Sequence, residues 1–222
     1  MEKDKVKVNL TGISATMLGC LAGRAKLSKQ HSSLFYDTKA IELVDKIDFD
    51  SLTTDTFGHI FNNIFCNPNS VDVGLFTIRA KQFDKIAELF ITSHPRASIV
   101  NIGAGLDTTF YRVDNGLIHW YDIDLPPVID IRRQLLPEPD RVTYIAKSLL
   151  DLSWYRDIHE AKNGVFIIAG GVLQFFNEPQ VRQLLSMLAD NFPDGEMCLM
   201  PLDQILMIAS GKICIRQSNV KN

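Results

Sequence analysis

The stretch from Ser98 to Asp124 constrains the fold of this chain more than any other. It begins with a nearly unbroken apolar run, Ala97 to Ile102, broken only by Ser98 and Asn101. Such a run predicts a strand buried on both faces of a parallel sheet. Gly103-Ala104-Gly105 follows at once. Glycines suit that place because the backbone must turn sharply and let another group approach without a Cβ in the way. Leu106 to Tyr111 can open a helix, and His119-Trp120-Tyr121 can return as a second strand ending in Asp122-Ile123-Asp124.

A carboxylate roughly 20 residues beyond the first glycine of such a turn is the usual acceptor for ribose hydroxyls. The turn has two glycines, where a pyrophosphate binder wants G-x-G-x-x-G. Thr108 fills the third position, and its side chain would hinder close helix–strand packing. A dinucleotide-dependent oxidoreductase is therefore disfavoured. G-x-G followed by an acid suits a nucleoside without a pyrophosphate, above all S-adenosylmethionine.

Composition closes off other classes. The 222 residues are 46% hydrophobic, enough to bury one full core with a small N-terminal addition. The net charge is -3 and no cluster of Lys or Arg runs along one face, so nucleic acid is not an expected partner. Cys20, Cys66, Cys198 and Cys214 are scattered without metal-ligand spacing, so no metal is expected and free thiols in a reducing cytoplasm are. The charged start, MEKDKVKVNL, has no apolar signal core, and no apolar run reaches membrane-spanning length. The expectation is a cytoplasmic protein with no membrane partner.

Taken in order, Val8 to Arg24 carries apolar residues at helical spacing, with Thr11 or Ser14 as N-cap, and Asp37 caps a short helix to Val44. Asp50 to Asn69 is irregular, and Val73 to Thr92 is a long amphipathic helix. Beyond Asp124, Pro126-Pro127 opens a helix to Leu135, and strands are expected at 142–146, 165–169 and 196–200, with a helix over 178–191. Leu202 to Ser210 reads as a further helix before a polar tail. The fold class is α/β, a doubly wound, mostly parallel sheet with an N-terminal helical lid. Residues 1–95 form the lid and 96–222 the cofactor-binding core, whose ligand site lies at the strands' C-terminal ends.

Several stretches together carry a family resemblance: Arg24-Ala25, LFYDTKAIELV (34–44), TIRAKQFD (77–84), VNIGAGLDTTFYRVD (100–114), YDIDLPPVIDIRR (121–133), KSLLDLSW (147–154), IIAGGVLQFF (167–176) and NFPDGE (191–196). The chain resembles the leucine carboxyl methyltransferase superfamily, in particular its bacterial O-methyltransferases similar to the tetracenomycin polyketide type. The resemblance implies a Rossmann-like fold that binds S-adenosylmethionine, releases S-adenosylhomocysteine, and methylates a hydroxyl or carboxylate of a small molecule such as a polyketide. It implies that Arg79 pairs with the methionyl carboxylate of the cofactor and that Gly103, Ala104 and Gly105 lie under its methionine part. Asp122 and Asp124, flanking Ile123, compete for the ribose. Ser148 and Leu149 fall where relatives often have Asp-Leu against the adenine. Gly170 stands where eukaryotic relatives carry Glu, and Phe175 where many carry Tyr. Both changes remove polar groups from the end of the fourth strand.

A carboxylate acceptor needs no base at pH 7, whereas a phenol or alcohol would benefit from one. His31, His59 and His94 are available, but none stands out and no catalytic residue is nominated. Relatives run several dozen residues further, and this sequence ends on QSNVKN. A five-stranded sheet with an open edge is therefore expected, to be covered by this tail or by a second copy of the chain in a homodimer. The alternative reading is a truncated, catalytically weak cofactor-binding remnant of the same family.

Overall fold

In the computed structural model of the chain, the described residues are 5–8, 10, 14, 16–49, 71–199, 206–209 and 212–215; side chains at 71–76 and in the last two stretches are not described. The expected irregular segment at 50–69 and the candidate cap Thr11 lie outside them, as does His59. The chain divides into two compact units. The first comprises residues 1–84, 105–113 and 130–137, and the second 85–104, 114–129 and 138–222.

The second unit holds the whole sheet. Seven strands run in the order β3-β2-β1-β4-β5-β6-β7: β1 Ser98–Ile102, β2 His119–Asp124, β3 Val142–Ala146, β4 Val165–Ala169, β5 Glu196–Leu199, β6 Leu206–Ala209 and β7 Lys212–Ile215. The first five pair in parallel, and β6 and β7 are antiparallel. β1 and β4 are buried along their full length, as their nearly all-apolar sequences lead one to expect. Their core includes Val100, Ile102, Ile123, Ile167 and Trp154, with Leu184, Met187 and Leu188 of the helix Glu178–Asn191 packed on it. That helix starts on a reciprocal capping box, Asn177 with Gln180, which satisfies two of the otherwise unpaired first-turn donors.

The first unit is helical. α1 spans Thr16–Gln30, α2 spans Thr38–Lys46, and α3, Val71–Ser93, belongs to it up to Asp84. Leu18, Leu21, Ala25, Ala40, Leu43 and Ile47 form its core, joined by Leu106, Ile131, Leu135 and Leu136 from the middle of the chain. Asp37 caps α2 as its sequence predicts, its carboxylate accepting from Ala40 N–H at 2.8 Å. α4, Phe110–Val113, lies within the first unit, while α5, Pro126–Leu135, passes from the second into the first. The helix at 178–191 is α6.

Three local expectations are corrected. The helix expected within Val8 to Arg24 is α1, which runs on past Arg24 to Gln30, and ahead of it Val6 pairs with Ile47 in an extended bridge, a conformation that β-branched residues favour. The helix expected over 202–210 contains the strand β6, which pairs with β5 and with β7. Short apolar runs such as Leu206–Ala209 do not distinguish helix from strand by periodicity. β5 is therefore no edge, and the sheet has seven strands rather than five. The helix expected from Leu106 is only Phe110–Val113. Side chains take the bonding groups it would need: arginines take the carbonyls of residues 105–107, and Asp107 Oδ1 takes the N–H of Thr109.

Candidate binding site at the ends of β1 to β4

The strand order reverses between β1 and β4, since β2 and β3 lie on one side of β1 while β4 and β5 lie on the other. In an open α/β sheet the crevice outside the carboxyl ends at such a switch point is where ligands bind. Eight of the ten expected binding residues lie at or just beyond the strand ends there, all in the second unit: Gly103 and Ala104 after β1, Asp122, Ile123 and Asp124 at the end of β2, Ser148 and Leu149 after β3, and Gly170 after β4. Register holds them level, with Ile102 opposite Ile123 and Asp124 opposite Ala146.

The turn after β1 is built for glycine. Gly103 has φ +67° and Gly105 φ +49°, in the left-handed region that side chains disfavour. A Cβ on residue 103 would lie 2.5 Å from Cγ2 of Val172. The N–H groups of Gly103 and Ala104 both donate to the carbonyl of Ile123, at 2.8 and 3.1 Å, which ties the turn to the end of β2.

The two competing carboxylates have different surroundings. Asp122 has no exposed surface, and its Oδ1 accepts from Asn101 Nδ2 and from Trp120 Nε1, each at 2.9 Å. It stitches β1 to β2 inside the sheet. Asp124 sits at the strand end, half-buried, and its Oδ1 accepts from Leu125 N–H at 2.7 Å.

After β3, the side chain of Leu149 is part of the sheet core, and Ser148 Oγ accepts from Leu150 N–H at 3.2 Å, forming a local turn. Asp151 caps the next turn, its Oδ1 accepting from the N–H and hydroxyl of Ser153. Phe175 lies in a 3-10 turn and is 40% exposed.

Arg79 and Gly105 belong to the first unit. Arg79 lies on α3, half-buried, with Nη2 donating to Cys20 Sγ at 3.6 Å. Of the histidines weighed as bases, His31 is exposed and His94 stacks on Phe90.

Sequence reasoning missed a buried ionic cluster in the first unit. Asp37, with no exposed surface, accepts at Oδ2 from Arg24 Nε (3.2 Å), Thr108 Oγ1 (2.6 Å) and Arg112 Nη1 (2.7 Å). Arg112 also grips Asp84 through Nε and Nη2 and donates to Thr108 and Thr109, so all five of its N–H groups are used. Burial works against the Arg112 charge, but Asp84 and Asp37 outweigh it and hold the guanidinium protonated. Burial likewise pushes the Asp107 carboxyl up, yet the charges of Arg24 and Arg112 and the Thr109 N–H hold it below the ordinary aspartate range. The signal in the sequence was Thr108 itself. A hydroxyl where a dinucleotide fold wants glycine is explained by its bond to Asp37. Arg112 and Asp37 also line a groove of about 450 Å³ with Tyr36, Thr38, Lys39 and Tyr111, but Arg112 has no N–H left to offer a ligand there.

Among the described residues no group of three or more His, Cys, Asp and Glu side chains could hold a metal ion, and no helix is long and apolar enough to cross a membrane.

Comparison with known proteins agrees with this architecture. A methyltransferase-like protein of Thermobifida fusca shares the fold, with a TM-score of 0.50 and 12% identity over 68% of this chain and 69% of that one. The chain is 29% identical over 189 residues to the tetracenomycin polyketide synthesis O-methyltransferase TcmP of Streptomyces glaucescens. It is 27% identical over 206 residues to the S-adenosyl-L-methionine-dependent methyltransferase dpfgK of Gibberella zeae. These alignments cover 85% and 86% of this chain but 65% of each relative, so the chain spans about two thirds of their length. The sequence profile of leucine carboxyl methyltransferases matches residues 17–189, and the chain belongs to that family.

Proposed function

We propose that the chain binds S-adenosylmethionine at the carboxyl ends of β1 to β4 and serves an O-methyltransferase acting on a hydroxyl or carboxylate of a small molecule, polyketide-like or another secondary metabolite. The observation that carries this reading is the glycine turn at the switch point, paired with Asp124 at the end of the neighbouring strand. S-adenosylmethionine supplies an electrophilic methyl group, so catalysis depends largely on holding the acceptor oxygen in line. The residues suit such a nucleoside. Gly103 gives the left-handed turn that follows β1, which Val172 packs against, and Asp124 offers a carboxylate at the sheet's rim for ribose hydroxyls. Asp124 is preferred over Asp122, whose carboxylate is committed to Asn101 and Trp120 inside the sheet. Ser148 and the backbone of Leu149 are assigned to the adenine edge, Gly170 to the opposite wall, Gly105 to the turn, and Arg79 to the methionyl carboxylate. Family membership and the similarity to TcmP support the reaction class.

In the same reading, residues 1–95 act as a lid over a core of 96–222, the protein works in the cytoplasm, and a homodimer forms through a sheet edge. Sedimentation of the purified chain tests the last point: a monomer at working concentration rules it out. Equilibrium binding of S-adenosylhomocysteine to the wild type and to Asp124→Ala tests the cofactor assignment. Tight binding that is lost in the variant is the expected result.

A further inference from the structure

Three consecutive backbone carbonyls follow the glycine turn, and two buried arginines meet them. Arg132 Nη1 donates to the carbonyls of Gly105 and Asp107, both at 2.9 Å. Arg24 Nη2 donates to the carbonyl of Leu106, between them, at 2.9 Å. Arg132 is 1% exposed and Arg24 5%. A guanidinium taken out of water is costly unless its N–H groups find acceptors; Arg132 Nε is buried with none, so the bonds that Arg132 Nη1 and Arg24 Nη2 make to this one tripeptide are the harder to give up. Asp37 fixes Arg24 in turn, accepting from its Nε.

The peptide plane turns this into an orientation. The C=O of one residue and the N–H of the next point in opposite directions across a trans peptide. Holding the carbonyls of 105, 106 and 107 on the arginines therefore aims the N–H groups of Leu106, Asp107 and Thr108 the other way. It also denies the segment the helical conformation and keeps Gly105 at its left-handed φ.

We propose that Arg24 and Arg132 are positioning residues that clamp the backbone of residues 105–107, so that the turn beginning at Gly103 is preset for its nucleoside ligand. The proposal rests on the cofactor reading above. The arginines act on the backbone from behind and touch no ligand.

The test compares wild type, Arg132→Met, Arg132→Lys and Arg24→Met by calorimetric titration with S-adenosylhomocysteine. Hydrogen exchange of residues 103–109 is followed in the same samples. Arg141→Met, which breaks an exposed ion pair with Asp114, serves as a control. Losing the clamp is expected to weaken binding roughly 10- to 100-fold. Exchange at 103–109 should quicken before global unfolding does. Arg132→Lys, which keeps the charge and a donor, should recover part of the affinity, and Arg141→Met should bind as wild type. Lysine also provides a folded sample if the methionine variants do not fold, with a weaker but measurable loss. Wild-type affinity and wild-type exchange in both Arg132 variants would overturn the clamp while leaving the cofactor reading intact. A wild type that binds no ligand would overturn the cofactor reading, and the clamp's purpose with it.

Discussion

Replacing Asp122 and Asp124 one at a time separates a carboxylate that holds the sheet from one proposed to face a ligand. Asp122→Ala removes the acceptor of two buried donors, Asn101 Nδ2 and Trp120 Nε1, each 2.9 Å away. An orphaned buried donor costs about 1–3 kcal/mol, so the variant should lose roughly 2–6 kcal/mol. That is a large part of the about 5–15 kcal/mol that holds a typical domain folded. Asp122→Asn keeps an acceptor at the same place and should lose clearly less. Asp124 is half-buried and accepts from Leu125 N–H. Asp124→Ala should cost about 1 kcal/mol, the usual net worth of a hydrogen bond at a partly exposed site. It should nevertheless weaken S-adenosylhomocysteine binding at least tenfold, about 1.4 kcal/mol. Urea denaturation gives the first quantity and calorimetric titration the second. The reasoning fails if Asp122→Ala unfolds at the wild-type midpoint yet loses the ligand, while Asp124→Ala binds normally.

Three further outcomes follow from the same geometry. Gly103→Ala should cost about 1–3 kcal/mol for its left-handed φ, and more for the Cβ 2.5 Å from Val172 Cγ2; Val172→Ala in the same chain should recover the second part, as read by denaturation. Thr108→Val removes the hydroxyl donated to buried Asp37 at 2.6 Å and should destabilise by about 1–3 kcal/mol, whereas Thr108→Ser should be milder. Asp114 is held below the ordinary aspartate value of 3.8: burial opposes its charge, but Arg141 and the Gly116 N–H outweigh it. Asp107 is held low in the same sense. A carboxyl with a lowered folded pKa contributes stability that is present above its unfolded value and lost as pH falls through its folded one. Stability should therefore drop as pH falls below about 3.8, and Asp114→Asn should flatten that drop in acid titrations followed by circular dichroism.

The parallel part of the sheet was legible because its physics is local. Buried parallel strands must be largely apolar, so Ser98–Ile102 and Val165–Ala169 announce themselves, and Asp37 announces the helix it caps. The two C-terminal strands were not legible. Four-residue segments carry no decisive period, and the pairing of β6 with β5 and of β7 with β6 depends on register set elsewhere in the fold. The choice between Asp122 and Asp124 was hidden for a similar reason. Both lie two apart on one strand, and the bonds from Asn101 and Trp120 to Asp122 become visible only when β1 and β2 are paired. The cluster around Asp37 joins residues 24, 37, 84, 108 and 112, and no sequence window spans them. Thr108 was noticed only as a departure from a glycine pattern, and its hydroxyl supplies the physical reason for the departure.

The most direct test of the central claim is calorimetric titration of the purified chain with S-adenosylhomocysteine, alongside S-adenosylmethionine, on a sample shown to unfold cooperatively. The account predicts saturable binding of about micromolar affinity, about -8 kcal/mol, lost on changing Asp124 to Ala. No binding heat from a demonstrably folded sample would contradict it, and the glycine turn would then be a structural turn with no nucleoside to hold.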